Sequence, residues 1–386
     1  MHGGDATTVQ HLLQDNVVQV VGSRFAFAAL KNDSSVVVWG DKSVTRGLDN
    51  TVVTGASSIV AAEASFASTN AQTLTVAVAG VLQPPAPLVD VVSVVASAGA
   101  FAALHSDGSV RVWGNKHYGG LIPTTTLPLL TNVATIVASR DSFAALLHSG
   151  KVVAWGGSGG DTSAVSSRLG GVVHVTASNT AFVAFKSDSS IVTWGYAKWG
   201  GDSSSVAHLL YNVTSVSYTT KAMAALREDG RVVSWGSSGN GGDSSSVQHL
   251  LRDVVSVVGN NKAFAALTRG GSVVTWGSAA YGGTVPTPLL PSLQADVVSV
   301  HHTDRAFAAL KADGSVVVWG DAGHGGSVSG TIQSLLHNVH TICANDVAFS
   351  AIRTDGSVVA WGHYVAVPNQ GVQTTHSSLR NKLICA

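Results

Sequence analysis

The chain has 386 residues, 45% of them hydrophobic, so a sizeable core is within reach, while charged residues are only 11% against about 25% in an ordinary soluble domain. Twenty-two basic residues balance twenty-two acidic ones. That neutrality argues against a nucleic-acid partner, which needs clustered Lys and Arg to displace counterions, and against attraction to anionic lipid.

The N-terminus, Met1-His2-Gly3-Gly4-Asp5, has neither the basic region nor the apolar stretch of a signal peptide. Next comes Val9, Leu12 and Leu13, at the i, i+3, i+4 spacing of one helical face. The same triad returns as Val206, Leu209, Leu210, as Val247, Leu250, Leu251 and as Ile332, Leu335, Leu336, so a short helical turn is predicted once per repeat. Trp-Gly follows at Trp39, and then at Trp113, Trp155, Trp194, Trp235, Trp276, Trp319 and Trp361. From Trp113 onward the steps are 42, 39, 41, 41, 43 and 42 residues. The long gap after Trp39 holds a worn copy at about 47–80, where Ser65-Phe66-Ala67 stands for Ala-Phe-Ala and Val78-Ala79-Gly80 falls near the Trp-Gly position. No stretch reads as a membrane helix, since the longest uncharged run, Ala64 to Val89, is broken by three prolines and by Asn70, Gln72 and Gln83.

The copy at 243–277 shows the unit most clearly. Asp243 or Ser245 can cap the helical turn, and Ser245-x-x-Gln248 has the spacing of a capping box. Three strands are predicted at Val254–Val258, Ala263–Leu267 and Ser272–Trp276. In sister copies the turn between the last two is Asp107-Gly108, Asp229-Gly230, Asp313-Gly314 or Asp355-Gly356, the strongest short-range hairpin signal and one that favours positive φ at both central residues. Such a sheet cannot bury both faces alone, and stacking copies face to face solves that. Alanines in the second strand let sheets approach, and the recurring Trp fills the wider space between them. The expected fold is therefore all-β: a β-propeller-like array of about nine repeats of ~41 residues, each about three antiparallel strands plus a short helical turn, in a single repeat domain over 1–386. A nine-bladed ring, a seven-bladed ring with two added units and an open superhelix all fit, and one closed ring is favoured. Residues 366–386 repeat the start of a unit: Ser378 to Ala386 parallels Leu335 to Ala344, so the terminal strand is expected to pack on the first repeat and help close the ring, the rival being that the chain is a fragment of a longer array.

The run Ala-Phe-Ala-Ala-Leu-x-x-Asp-Gly-Ser-Val-x-x-Trp-Gly resembles the repeat of the regulator of chromosome condensation family, over nearly the whole chain. The family's Gly-Gln-Leu-Gly ending has become Gly-Gly here, as at Tyr118-Gly119-Gly120 and Tyr281-Gly282-Gly283. In repeat length the chain looks more like a bacterial β-lactamase inhibitory protein of the same superfamily. The resemblance implies a propeller. Its members include a nucleotide-exchange factor for a nuclear GTPase, an ultraviolet receptor, modules of ubiquitin ligases and that inhibitor, and no functional residue of theirs has a matching motif here.

Catalytic signatures are missing: there is no Gly-x-Ser-x-Gly elbow, P-loop or His-Glu-x-x-His, and Gly239–Gly242 belongs to the repeat loop. Of fifteen histidines, His11, His208 and His249 occupy one repeat position, while His301-His302 and His337-x-x-His340 lack the spacing of a zinc site. No metal or cofactor is expected. Asp5, Asp161, Asp202 and Asp243 recur in Gly-Gly-Asp, which helix capping explains. Cys343 and Cys385 are too few for a disulfide framework and read as free thiols, in keeping with a cytoplasmic or nuclear location. The best binding candidates lie five residues after the repeat Trp: Tyr118, Trp199, Asn240, Tyr281 and His324, with Ser158 near the same place and His2 in register. This position varies while staying large, and aromatic residues are enriched at binding hot spots. Symmetry would set the series on one rim, either to contact a partner or to cover the neighbouring blade's edge. The expected function is a non-catalytic protein-interaction scaffold. A nucleotide-exchange regulator of a small GTPase, an enzyme inhibitor and a lectin-like binder are the alternatives.

Overall fold

Val-rich runs and Ala-Phe-Ala-Ala-Leu segments favour extended backbone, and they fold into repeated three-stranded antiparallel meanders, called blades below and named by their Trp. In this computed structural model, residues 9–22, 26–40, 56–62, 65–69, 73–74, 88–363 and 384–385 are described. The chain divides into two compact units, Met1–Ser187 with Val192–Tyr196, and Asp188–Ile191 with Ala197–Ala386.

The first unit holds the Trp39 blade (Val17–Gly22, Ala26–Lys31, Val36–Gly40) and the Trp113 blade (Val91–Ala96, Ala100–His105, Val110–Gly114). It continues with the Trp155 blade (Val133–Ala138, Ser142–Leu147, Val152–Gly156) and the Trp194 blade (Val172–Ala177, Ala181–Lys186, Ile191–Gly195). Between the first two, the worn copy contributes the pair Ser58–Ala62 and Ser65–Thr69, while its Val78-Ala79-Gly80 lies outside the described residues. The second unit holds the Trp235 blade (Val213–Tyr218, Ala222–Arg227, Val232–Gly236) and the Trp276 blade (Val254–Gly259, Ala263–Thr268, Val273–Gly277). The Trp319 blade (Val297–His302, Ala306–Lys311, Val316–Gly320) and the Trp361 blade (Val339–Ala344, Ala348–Arg353, Val358–Gly362) complete it. Ile384–Cys385 pairs antiparallel with Val339–Ala344 as a fourth strand of the last blade; the expected partner of the terminal strand was the first repeat.

Packing follows the alternation of the middle strand. One face of most middle strands carries small residues and a leucine, and it meets the aromatic pair of the following blade. Ala100, Ala102 and Leu104 pack with Phe143, Ala145 and Trp155, and Ala306, Ala308 and Leu310 pack with Phe349, Ala351 and Trp361. The repeat tryptophans are 0 to 7% exposed. Each is also stacked on the middle-strand Phe of its own blade, as in Phe182–Trp194 at 5.1 Å and Phe307–Trp319 at 5.4 Å between centroids; the Trp235 blade has Met223 at the Phe position.

The hairpin turn differs from its sequence expectation. Only the Gly has positive φ (Gly108 78°, Gly314 79°), while the Asp carboxylate accepts the N–H two residues on, as Ser109 N–H to Asp107 Oδ1 at 2.9 Å. With His105 N–H donating to Ser109 O and Gly108 N–H to His105 O, both at 2.9 Å, this is a three-residue turn ending in a left-handed glycine, because the Asp side chain already replaces one turn bond. The predicted helical turn also changes. It winds mostly with i→i+3 bonds (Leu250 N–H to Val247 O at 2.8 Å), so the α-helical stripe does not form. Leu251 is fully buried while Leu250 is 50% exposed. Asp243 does cap by accepting Ser245 N–H at 2.9 Å, but no capping box closes: Gln248 Nε2 donates to Val232 O at 3.0 Å instead. Cys343 is disulfide-bonded, and Cys385 is the only other cysteine, so the free-thiol expectation is corrected. Pairing of the two residues in register across adjacent strands, which sequence spacing could not show, brings them together.

Candidate functional site

Three connections tie successive blades together within each unit. First-strand N–H groups bond to the preceding hairpin glycine, as Val133 N–H to Gly108 O at 3.0 Å and Val339 N–H to Gly314 O at 2.9 Å. Turns between first and second strands bond in series, Asn261 N–H to Asp304 O at 3.1 Å and Asp304 N–H to Asp346 O at 2.8 Å. Finally the indole Nε1–H of a blade donates to the first glycine of the preceding loop: Trp155 to Gly119 O at 3.1 Å, Trp276 to Gly241 O at 2.9 Å, Trp319 to Gly282 O at 3.0 Å. Trp113 is the informative exception. It follows the worn copy, whose sequence has no Gly-Gly loop, and among the described residues its buried Nε1 has no partner.

These connections build the candidate surface. After five of the Trp-Gly pairs the chain makes one short 3₁₀ turn, Lys116–Tyr118, Ala197–Trp199, Ser238–Asn240, Ala279–Tyr281 or Ala322–His324, whose last residue is the position singled out from sequence. A left-handed glycine ends the turn, as at Gly119 (φ 89°) and Gly282 (φ 84°). A polar side chain from the blade's own first turn then holds the candidate's carbonyl: Ser97 Oγ–H to Tyr118 O at 2.7 Å, Thr219 Oγ1–H to Asn240 O at 2.9 Å, Asn260 Nδ2–H to Tyr281 O at 2.7 Å and Thr303 Oγ1–H to His324 O at 2.9 Å. Sequence reasoning missed these four anchors. The signal was present, since each lies 21 residues before the residue it holds.

The side chains themselves differ. Tyr118, Trp199, Tyr281 and His324 are partly exposed, whereas Asn240 is buried, with its Nδ2 donating to Thr220 Oγ1 at 3.1 Å and Asn261 O at 3.4 Å. Lys221 Nζ lies 4.4 Å from the Trp199 ring centroid, and Lys262 Nζ and Arg305 Cζ flank Tyr281 at 4.8 and 5.3 Å. His324 Nδ1–H donates to Asp321 Oδ1 at 2.7 Å, a contact that holds the Asp321 carboxyl below its usual range. Thus Trp199, Asn240, Tyr281 and His324 occupy equivalent places in the second unit, and Tyr118 the same place in the first. Ser158 opens the turn Ser158–Gly160, which follows its Trp-Gly by one residue, with Asp141 Oδ2 at 3.5 Å from its Oγ, and His2 lies outside the described residues.

Among the described residues no group of three or more His, Cys, Asp or Glu could hold a metal ion, and no helix is long and apolar enough to cross a membrane. His301 and His302 line a cavity of about 300 Å³ together with Asp304 and Asp346. Burial, then the Asp346 charge, raise the Asp304 pKa. The hairpin aspartates shift the other way: hydrogen bonds from Ser109, Ser315 and Ser357 lower Asp107, Asp313 and Asp355. A lowered carboxyl adds stability above its unfolded value of 3.8 and loses it as pH falls further. A raised one binds its proton more readily folded than unfolded, so Asp304 weakens the fold at neutral pH and is relieved on acidification. Asp304→Asn is therefore expected to raise the melting temperature at pH 7, with the gain shrinking as pH drops through the raised pKa. Thermal melts of both proteins across that range read it, and a gain independent of pH would count against the assignment.

No family model and no curated protein matches the chain. It is similar to solved structures of the ectodomain of the Physcomitrella patens receptor kinase CR4 (TM-score 0.36, 15% identity, 80% of this chain and 73% of that one). Others are yeast RCC1 (Prp20), solved bound to Kap60 (0.36, 16%, 70% and 72%), and human WBSCR16 (0.36, 15%, 91% and 88%). The chain is a repeat protein of propeller-type blades. That statement rests on the blades themselves, with the indole-to-glycine bond repeated between them.

Proposed function

We propose that this chain is a non-catalytic protein-interaction scaffold whose contacts are made by the residues ending the 3₁₀ turns. The observation that carries the reading is the contrast within each turn. Its backbone is fixed by a left-handed glycine and, at Tyr118, Asn240, Tyr281 and His324, by a buried polar anchor, while its last side chain varies from blade to blade as Tyr, Trp, Asn, Tyr and His. Rigid backbone with variable, partly exposed aromatic tips loses little entropy on binding and discriminates by side chain. Cations beside Trp199 and Tyr281 add a charged element to those tips. The aspartates of the hairpins are bonded within their own turns, which favours binding over catalysis as the role of the polar residues.

The test is quantitative affinity purification with the chain as bait, comparing wild type with Tyr118→Ala, Trp199→Ala and Tyr281→Ala combined. Specific partners should fall by ~tenfold or more, the loss of about one hot-spot residue, while the melting temperature stays close to wild type. Unchanged recovery of every partner would remove these residues from the interface. The exchange-regulator alternative would instead show faster nucleotide release from a small GTPase, and the inhibitor or lectin alternative tight binding to an enzyme or a glycan array.

A further inference from the structure

The outer strand of the Trp235 blade, Val232–Gly236, borders a cleft of about 530 Å³ lined also by Val206, Leu209, Arg227, Arg231 and Asp243. Arg227 N–H donates to Arg231 O at 2.9 Å across the hairpin, so that pair is hydrogen-bonded, and antiparallel pairing alternates. With Ala225 opposite Val233 and Met223 opposite Trp235, those pairs are bonded too, and Val232, Ser234 and Gly236 turn their N–H and C=O groups away from the sheet. Gln248 Nε2 takes the Val232 carbonyl at 3.0 Å. Gly242 covers Gly236 so closely that an added Cβ would lie 2.5 Å from its carbonyl carbon. Ser234 is left over. Among the described residues no loop backbone bonds to it and its buried Oγ has no partner, whereas the matching Thr275 Oγ1 donates to Gly283 O at 3.2 Å.

The charges beside this edge are unlike those of the sister blades. Arginine occupies both ends of the hairpin only here; the equivalent pairs are Lys31/Ser35, His105/Ser109, Leu147/Lys151, Lys186/Ser190, Thr268/Ser272, Lys311/Ser315 and Arg353/Ser357. Arg227 is 6% exposed, its Nη2 bonds Asp229 at 2.8 Å, its Cζ lies 3.8 Å from the Tyr211 ring centroid, and among the described residues its buried Nε has no hydrogen-bond partner. Arg231 is 60% exposed and only 4.0 Å from the same Asp229 oxygen, so one carboxylate serves two guanidiniums. Asp243 at the mouth is engaged with Ser245 N–H at 2.9 Å.

We propose that this edge accepts an extended acidic peptide segment as an added strand, pairing through Ser234 and placing a carboxylate over Arg231. An unpaired strand edge is a template for such pairing, main-chain bonds supplying affinity and flanking side chains specificity. The site is separate from the residues that end the 3₁₀ turns and goes beyond the scaffold reading.

The probe is a fluorescein-labelled, end-capped octapeptide alternating Val and Glu, titrated by anisotropy against the full chain. Saturable binding with a Kd below about 1 mM is expected. The Val-Lys peptide, and a Val-Glu peptide N-methylated at alternate residues, should each bind at least ~tenfold more weakly. Ser234→Pro removes the outward N–H, a change that edge strands accept, and should also weaken binding ~tenfold. Should that variant unfold, Arg231→Glu on the exposed side reads the charge requirement alone. The combined Tyr118, Trp199 and Tyr281 variant is expected to bind this peptide as wild type does, so failure of the scaffold reading leaves this result standing. Absence of saturable binding, equal binding of the Lys or N-methylated peptides, or indifference to both Ser234→Pro and Arg231→Glu overturns the proposal.

Discussion

Trp319→Ala should lower the unfolding free energy by about 3–5 kcal/mol, the range for deleting a large aromatic from a closed core. Trp319 has no exposed surface, stacks on Phe307 at 5.4 Å and packs against Leu293 and Val297. The alanine variant leaves a cavity beside Phe307 and strands the Gly282 carbonyl that Nε1–H had satisfied at 3.0 Å. A phenylalanine variant separates the two contributions, because it retains much of the packing while removing the donor; leaving a buried acceptor unpaired costs about 1–3 kcal/mol. Trp113 supplies the internal control. Its Nε1 has no partner among the described residues, so Trp113→Phe should be the milder of the two phenylalanine changes. Urea unfolding followed by far-ultraviolet circular dichroism measures all three. Equal losses for Trp113→Phe and Trp319→Phe would show that the indole-to-glycine bond adds nothing.

Gly241→Val should be comparably damaging, for a different reason. Gly241 has φ +91°, where a β-branched residue is strained, and an ideal Cβ would sit 2.6 Å from Phe264 Cδ2. Left-handed strain and overpacking each contribute about 1–3 kcal/mol, giving a loss of about 2–6 kcal/mol if they add. The Phe264 ring cannot yield easily, since it is fully buried and stacked on Trp276 at 5.1 Å. Two residues earlier, Gly239 has nothing within 4 Å of an added Cβ, so Gly239→Ala should change stability by no more than about 0.5 kcal/mol. The same unfolding measurement applies, and a tolerated Gly241→Val would mean that the loop can move away from the next blade.

The pair of predictions explains why Trp-Gly and Gly-Gly recur together along the chain. The indole of one blade takes a carbonyl from the preceding loop, and at Gly119, Gly159, Gly241, Gly282 and Gly325 that loop comes so close to the facing Phe that an added Cβ would lie 2.4 to 2.8 Å from its ring. A second glycine, such as Gly283, lies against the backbone of Gly277, where an added Cβ would be 2.5 Å from the carbonyl carbon. The worn copy has no Gly-Gly in its sequence, and among the described residues the next tryptophan, Trp113, has no acceptor.

Period and composition by themselves determined the blades. A 41-residue spacing of Trp-Gly, a small-residue middle strand and an Asp-Gly turn are local patterns, and local patterns survive translation into strands and hairpins because they depend on neighbours in sequence. The post-tryptophan position was legible for the same reason, since it sits at a fixed offset within the unit. What needed the tertiary structure was everything that joins one unit to the next. The Phe–Trp stack, the Ser97 and Asn260 anchors, the burial of Asn240 between two turns and the bonded state of Cys343 all pair residues that are separate in sequence but meet when sheets stack. The open edge at Ser234 belongs with them: its hydroxyl differs from Thr275 by one methyl group in sequence, yet whether a loop carbonyl lies within reach is set by packing.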